Sequence, residues 1–201
     1  MKKYIIGLCL LLPAFTGFSQ QKKENFSKAE LIAYFDQTFN NLKQEVKNLN
    51  QQQLMFSPDE NRWSVSQCIY HLVLTEPELL DYVKKSMEGP ANPQLKDSVQ
   101  AGDHELIGYI TDRSEKAVAG NDLKNVKTYT SANEALKALE ASRKTIKDFI
   151  NKHTEEELRN HFIKWPMAYT DAFQGLLFIA AHTARHTQQI KEVMNDPSFP
   201  K

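Results

Sequence analysis

The sequence predicts an all-α protein: a four-helix bundle with a long crossover connection between its second and third helices. Three observations lead there. Apolar residues recur at three- and four-residue spacing along four separate segments, the period of one helix face. Each of these segments opens on a side chain able to accept a hydrogen bond from the first turn. No segment shows the sustained two-residue alternation of a half-buried strand. A helix with one apolar stripe must bury it against neighbours, and four long ones in a single domain do so as a bundle.

The chain begins with what reads as a secretory signal, residues 1–19. Lys2 and Lys3 supply the positive start, and the apolar run from Tyr4 to Phe15 is too short to span a bilayer comfortably. Gly17 and Ser19 place small residues before a cleavage expected ahead of Gln20. Cys9 lies inside the apolar run with no small residue before it, which argues against lipid attachment. The mature protein, residues 20–201, is then an exported single domain, periplasmic or secreted, of a size that supports one core. Cleavage removes two of the 25 basic residues and none of the 25 acidic ones, leaving a slightly acidic chain. Nothing in that balance points to nucleic acid, and no stable membrane insertion is expected once the signal is gone. Only Cys68 would remain, so no intramolecular disulfide forms and packing alone must supply stability. Cys68 itself reads as a small buried core residue.

Ser27-Lys-Ala-Glu30 is a capping box that opens the first helix, running to about Leu49 with Leu31, Tyr34, Phe35, Phe39, Leu42, Val46 and Leu49 in register. Ser64-Val-Ser-Gln67 opens the second, whose apolar face carries Val65, Cys68, Ile69, Leu72, Leu79 and Val83. From Met87 to Thr130 runs the crossover, with Gly89-Pro90, Pro93 and Gly120, and room for a further helix near His104 to Ala119. Ser131-Ala-Asn-Glu134 starts the third helix with Leu136, Leu139, Ile146, Phe149 and Ile150. Thr154 caps a short piece. Thr170 or Asp171 opens the last helix, with Phe173, Leu176, Leu177, Ile179, Ala180, Ile190 and Val193 on its apolar arc.

On that last helix stand His182 and His186. Residues four apart lie about 40° from each other around a helix of 3.6 residues per turn, so both project from one side, as two ligands of one ion must. His71 sits on the second helix. All three fall at the edge of their apolar arcs, where side chains point into the cleft between helices. Three neutral imidazoles with an open coordination position make a catalytic-type divalent site, and imidazole suits zinc and nickel. The same spacing also fits three half-buried histidines bonded to carbonyls or carboxylates. Gln189, one turn beyond His186, is placed to orient a ligand. Glu76 is anomalous, a carboxylate within the apolar face of the second helix. It must have a partner, shift its pKa or line a cavity, and in the last case it is a candidate general base, the one catalytic residue assigned here. His104 and His153 lie in polar surroundings and read as exposed, and His161 as a cap or surface residue.

Trp63-Ser-Val-Ser-Gln followed by His71-Leu, then His182-x-x-x-His186-x-x-Gln189-Ile190, resembles the signature of the DinB-like family. The similarity continues through Tyr109-Ile-Thr-Asp-Arg-Ser-Glu-Lys116, Tyr129-Thr-Ser-Ala-Asn-Glu-Ala-Leu136 and Asp171-Ala-Phe-Gln-Gly-Leu-Leu, covering essentially the mature chain. It implies a four-helix bundle with a long crossover and a three-histidine divalent metal site, with His71, His182 and His186 as ligands. Family members include metal-dependent hydrolases, and thiol transferases that use low-molecular-weight thiols. The implied function is an exported metal-dependent hydrolase of a small-molecule substrate. The alternatives are a metal-dependent thiol S-transferase and a non-catalytic metal-binding or stress-related protein. The export signal sits poorly with thiol transfer, since such thiols are chiefly cytosolic. A homodimer is allowed. Mass spectrometry of the protein from its native host is expected to find a mature N-terminus near Gln20, and an intact Met1 on the soluble protein would contradict export.

Overall fold

Local capping sets where most of the helices begin. The computed structural model describes residues 25–114, 128–165 and 168–201. The expected signal segment, Gly120 with the end of the helix expected up to Ala119, and Met167 lie outside the described residues. Helix α1, Lys28–Val46, opens on the expected box: Ser27 Oγ accepts from Glu30 N at 3.3 Å and the Glu30 carboxylate accepts from Ser27 N at 2.7 Å. It stops short of Leu49, because Asn50 takes the backbone N–H of Gln53 and starts a separate short helix, α2, Gln51–Met55. Helix α3, Val65–Ser86, is capped reciprocally by Ser64 and Gln67.

In the crossover, a 3₁₀ turn at Pro93–Ser98 precedes α4, Asp103–Thr111. Helix α5, Ala132–Lys152, follows. Ser131 stands at its N-cap but makes no side-chain cap bond, so the expected box with Glu134 is absent; burial of Ala132 and Ala135 holds that end instead. Thr154 and Glu157 cap α6, Glu155–Arg159. Two strands follow, β1 at Phe162–Lys164 and β2 at Tyr169–Asp171, antiparallel with Ile163 opposite Thr170. Three residues per strand are too few to show an alternation in sequence, which is why this hairpin was not expected. Helix α7, Ala172–Met194, starts at Asp171, whose Oδ1 accepts from Gln174 N at 2.6 Å.

Helices α1, α3, α5 and α7 form the bundle, with α1 and α3 each packed against both α5 and α7, and α4 laid on the outside of α7. Being covered by α1, α3 and α4, α7 buries far more than one stripe, including His182, Thr183, His186 and Thr187. Close approach depends on Gly175: a Cβ there would meet Ile163 Cδ1 at 2.7 Å and Val83 Cγ2 at 2.9 Å, so the hairpin and α3 reach α7 through the missing methyl. Among the described residues no helix is long and apolar enough to cross a membrane.

Two apolar clusters fill the bundle. One gathers Leu31, Phe35, Leu80, Ile146, Ile150 and Leu176; the other Leu42, Leu54, Ile69, Leu72, Leu139 and Ile190. Cys68 lies fully buried in the second, where burial pushes its thiol up to about 12, so it is inert core as expected. Between the clusters lies a polar layer. Arg143 of α5, 4% exposed, donates from Nε to Glu76 Oε1 of α3 at 2.8 Å and from Nη2 to Thr183 Oγ1 of α7 at 2.5 Å. Its Nη1 donates to the Phe35 carbonyl of α1 at 3.1 Å and to Thr38 Oγ1 at 3.3 Å. Thr183 Oγ1 in turn donates to Glu76 Oε1 at 3.0 Å. One guanidinium thus bonds to the other three helices of the bundle.

A second ionic knot holds the start of α7. Arg159 grips Asp103 with bonds of 3.0 and 2.5 Å, reaches Asp171 at 3.1 Å and the Phe26 carbonyl at 3.1 Å, and lies 3.6 Å over the Phe173 ring. It pins the first turn of α4 and the segment before α1 to the N-cap of α7. For the central layer, Arg143→Met is expected to cost about 3–5 kcal/mol, because it strands the Glu76 carboxylate in the core. The double replacement Glu76→Met with Arg143→Met should recover most of that loss. Urea denaturation midpoints of the two variants check this, and a double variant less stable than the single would contradict it.

Candidate metal centre

The polar layer continues sideways into a cluster of histidines on the seam between α3 and α7. These two helices run antiparallel, since Val83 near the end of α3 faces Gly175 near the start of α7 while His71 faces His182 and His186. His71 Nε2 lies 3.3 Å from His182 Nε2, and His186 Nε2 lies 3.1 Å from the same atom. His182 and His186 are 9% and 7% exposed, while His71 is half-buried, so one edge of the cluster is open to solvent. Among the described residues this is the one group of three metal-ligating side chains whose donor atoms converge.

The donor set fits a divalent cation. His186 Nδ1 faces Gln189 Oε1 at 2.9 Å; the nitrogen donates to that carbonyl oxygen, which leaves the Nε2 lone pair free. The Nδ1 atoms of His71 and His182 are buried without a partner. Three Nε2 atoms then face one another, and a single proton could bridge only one pair of them, whereas an ion satisfies all three. Imidazole nitrogens bound at about 2.0–2.1 Å to a tetrahedral ion stand about 3.3–3.4 Å apart, close to the separations found.

Electrostatics keep these rings neutral. Burial lowers His71 to about 4. Burial and then the neighbouring His71 lower His182 to about 3, with Arg185 and Arg143 adding to the effect. Burial, His182 and His71 together drive His186 well below its ordinary value. Neutral imidazole is the ligating form. The nearby charges are tied down: Arg113 makes a paired contact with Glu192 at 2.7 and 2.9 Å, and Arg185 donates to the Ile110 carbonyl at 3.2 Å and to the Asp112 carbonyl, fastening the end of α4 beside the cluster.

Aromatic rings close around the histidines. Trp63 lies 5.0 Å from the His71 ring and stacks on His186 at 5.9 Å and 16°, and Phe178 stacks on His182 at 6.1 Å and 21°. Glu76, the candidate general base, is 0% exposed and its Oε1 is taken by Arg143 and Thr183. Burial pushes its carboxyl up, opposed chiefly by the Arg143 charge. The remaining histidines lie elsewhere. His104 is exposed, His153 packs against Phe149 at 4.5 Å and is half-buried rather than exposed, and His161 bridges the carbonyls of Glu157 and Gly89. Sequence reading missed Arg143, although the anomaly that singled out Glu76 applies to it equally: Leu139, Arg143, Ile146 and Ile150 share one helix face.

Comparison with known proteins bears on the family and the fold. The family model of the DinB superfamily matches residues 25–190. The fold is similar to YfiT from Bacillus subtilis, described as a probable metal-dependent hydrolase with an unusual four-helix bundle topology. The two share 16% sequence identity at a TM-score of 0.57, covering 94% of this chain and 95% of that one. No curated protein matches the chain in sequence.

The lowered histidines carry a sign for stability. In the metal-free protein each binds its proton less readily folded than unfolded, so the contribution is complete above about pH 6.5 and is lost as pH falls toward the folded values near 4 and 3. Asp171, raised to about 6 by burial against the pull of Arg159, acts in the opposite sense. The difference between wild type and a His71→Asn, His182→Asn, His186→Asn variant isolates the histidines. Wild type is expected to lose more stability than the triple variant between about pH 7 and pH 4, measured by urea midpoints of metal-free protein. An equal loss in both would contradict the reading.

Proposed function

The chain belongs to the DinB superfamily, and we propose that it holds one divalent ion on His71, His182 and His186 and acts as a metal-dependent hydrolase of a small-molecule substrate. The observation that carries the reading is the convergence of three Nε2 atoms, from two helices, at 3.1 and 3.3 Å. The description of YfiT supports the reaction class, at the level of fold likeness. Zinc and nickel suit an all-imidazole donor set. The signal-like N-terminus supports a reading in which the protein works after export.

A divalent ion at such a site supplies Lewis acidity, polarising an electrophile and lowering the pKa of water. The chain supplies the rest. Three neutral donors add no negative charge to offset the ion, Gln189 fixes the tautomer of His186, and burial of His182 and His186 excludes bulk water from one side while the His71 edge remains accessible. Because Glu76 is held as the counter-ion of Arg143, we assign it to holding α3, α5 and α7 in register, so that activation of water would rest on the Lewis acidity of the ion alone.

Metal analysis of the purified mature protein is expected to give one ion per chain. His71→Ala, His182→Ala and His186→Ala should each abolish tight binding with helical circular dichroism retained, Gln189→Ala should weaken it about 10–100-fold, and His104→Ala and His153→Ala should leave it unchanged. Ester and amide hydrolysis screens on the loaded protein test the reaction. Hydrolysis lost in His71→Ala supports the reading. Transfer of a low-molecular-weight thiol without hydrolysis would replace it with a thiol transferase, and wild type binding no better than His71→Ala would remove the metal site itself. Turnover is expected to survive Glu76→Gln at reduced stability; its complete loss in a folded, metal-loaded variant would restore the carboxylate as general base.

A further inference from the structure

Ligating imidazoles are ordinarily held by a hydrogen bond from the ring nitrogen that does not bind the metal. In this cluster only His186 has one, to Gln189; the Nδ1 atoms of His71 and His182 are buried and unpartnered. The terminal torsion of a histidine is broad, so without such a bond the ring is free to turn and carry Nε2 out of line. Something else must fix these planes. For His182 it is the buried Phe178, stacked on it at 21°. For His71 the candidate is Trp63.

Trp63 stands immediately before Ser64, the N-cap of α3, so the capping bonds that start the helix also anchor its backbone. Its half-buried indole packs on the apolar cluster that includes Val65 and Ile190, and its ring meets histidines of two different helices: His71 of α3 at 5.0 Å and His186 of α7 at 5.9 Å. A flat, rigid surface seated on the core and touching both rings restrains their rotation without burying another polar group. We propose that Trp63 is a positioning residue of the metal centre, setting the plane of His71 in place of its missing hydrogen bond and bracing the Gln189-held ring of His186 across the α3–α7 seam. The inference rests on the metal-binding reading above.

Two replacements separate shape from bulk. Trp63→Leu keeps an apolar side chain without a flat face, and Trp63→Phe keeps the face. Both are titrated with cobalt(II), whose visible absorption reports coordination geometry, alongside circular dichroism and thermal unfolding of the metal-free forms. Trp63→Leu is expected to bind cobalt about 10–100-fold more weakly, with a changed visible band and retained helical signal, the penalty seen when support behind a ligand is removed. Trp63→Phe is expected to restore both the band and the affinity toward wild type. A Trp63→Leu variant with the wild-type spectrum and affinity would overturn the proposal, as would an equal loss in both variants, which would make bulk the only requirement. Should Trp63→Leu fail to fold, Trp63→Met takes its place under the same criteria. Failure of the wild type to bind cobalt, zinc or nickel would instead overturn the metal reading, and this inference with it.

Discussion

The structure depends on one buried guanidinium. Arg143 lies between two apolar clusters and bonds to the main chain or side chains of α1, α3 and α7 from its own place on α5. A buried ion pair is weak evidence for net stability, since two desolvation costs oppose the attraction. Its consequence is register. Slipping α3 or α5 by a turn would leave Glu76 and Arg143 without each other in an apolar interior, an error of several kcal/mol, and slipping α1 or α7 would take hydrogen-bond partners from the same guanidinium. Apolar side chains, by contrast, tolerate such slips if volume is kept. The polar layer therefore selects one alignment of four helices that hydrophobic packing alone would leave less sharply defined.

That alignment places the histidines. Thr183, which takes a hydrogen bond from Arg143 and gives one to Glu76, is the immediate neighbour of His182, and Thr187 donates to the Thr183 carbonyl at 2.8 Å one turn on. On the facing helix, His71 and Glu76 are five residues apart. Fixing Glu76 against Thr183 sets the height and rotation at which α3 meets α7, and so brings His71 opposite His182 and His186. At the far end of α7, Gly175 lets the hairpin and α3 close in, and the Arg159 knot ties α4 and the segment before α1 to the same helix start. The site is thus held from the middle of α7 and from its start.

Charge in the neighbourhood is nearly all accounted for by pairing. Glu76 answers Arg143 and Glu192 answers Arg113, so the cluster itself contains imidazoles and no carboxylate. Aromatic rings take the place that carboxylates and carbonyls often occupy behind ligating histidines. Three neutral donors would leave the charge of a bound cation unoffset, which would suit an electrophilic role.

Much of this was legible in the chain. Periodicity and capping chemistry are local, so the four long helices, the caps at Ser27, Ser64 and Thr154, and the shared face of His182 and His186 followed from residues within two turns of one another. Glu76 announced itself as a polar residue on an apolar face that needed a partner. Its partner was not legible, because Arg143 is 67 positions away and only packing decides which of several charges reaches it. The hairpin escaped for the opposite reason: its pairing is local, with Ile163 opposite Thr170, but strands of three residues are too short to show an alternation. His71 could be matched to the C-terminal pair only by resemblance. Sequence alone determined the helices and the faces they bury, since those depend on short-range spacing. Tertiary structure decided which faces meet, which carboxylate is a counter-ion and which rings hold the histidines, since those depend on distances between elements that spacing along the chain does not contain.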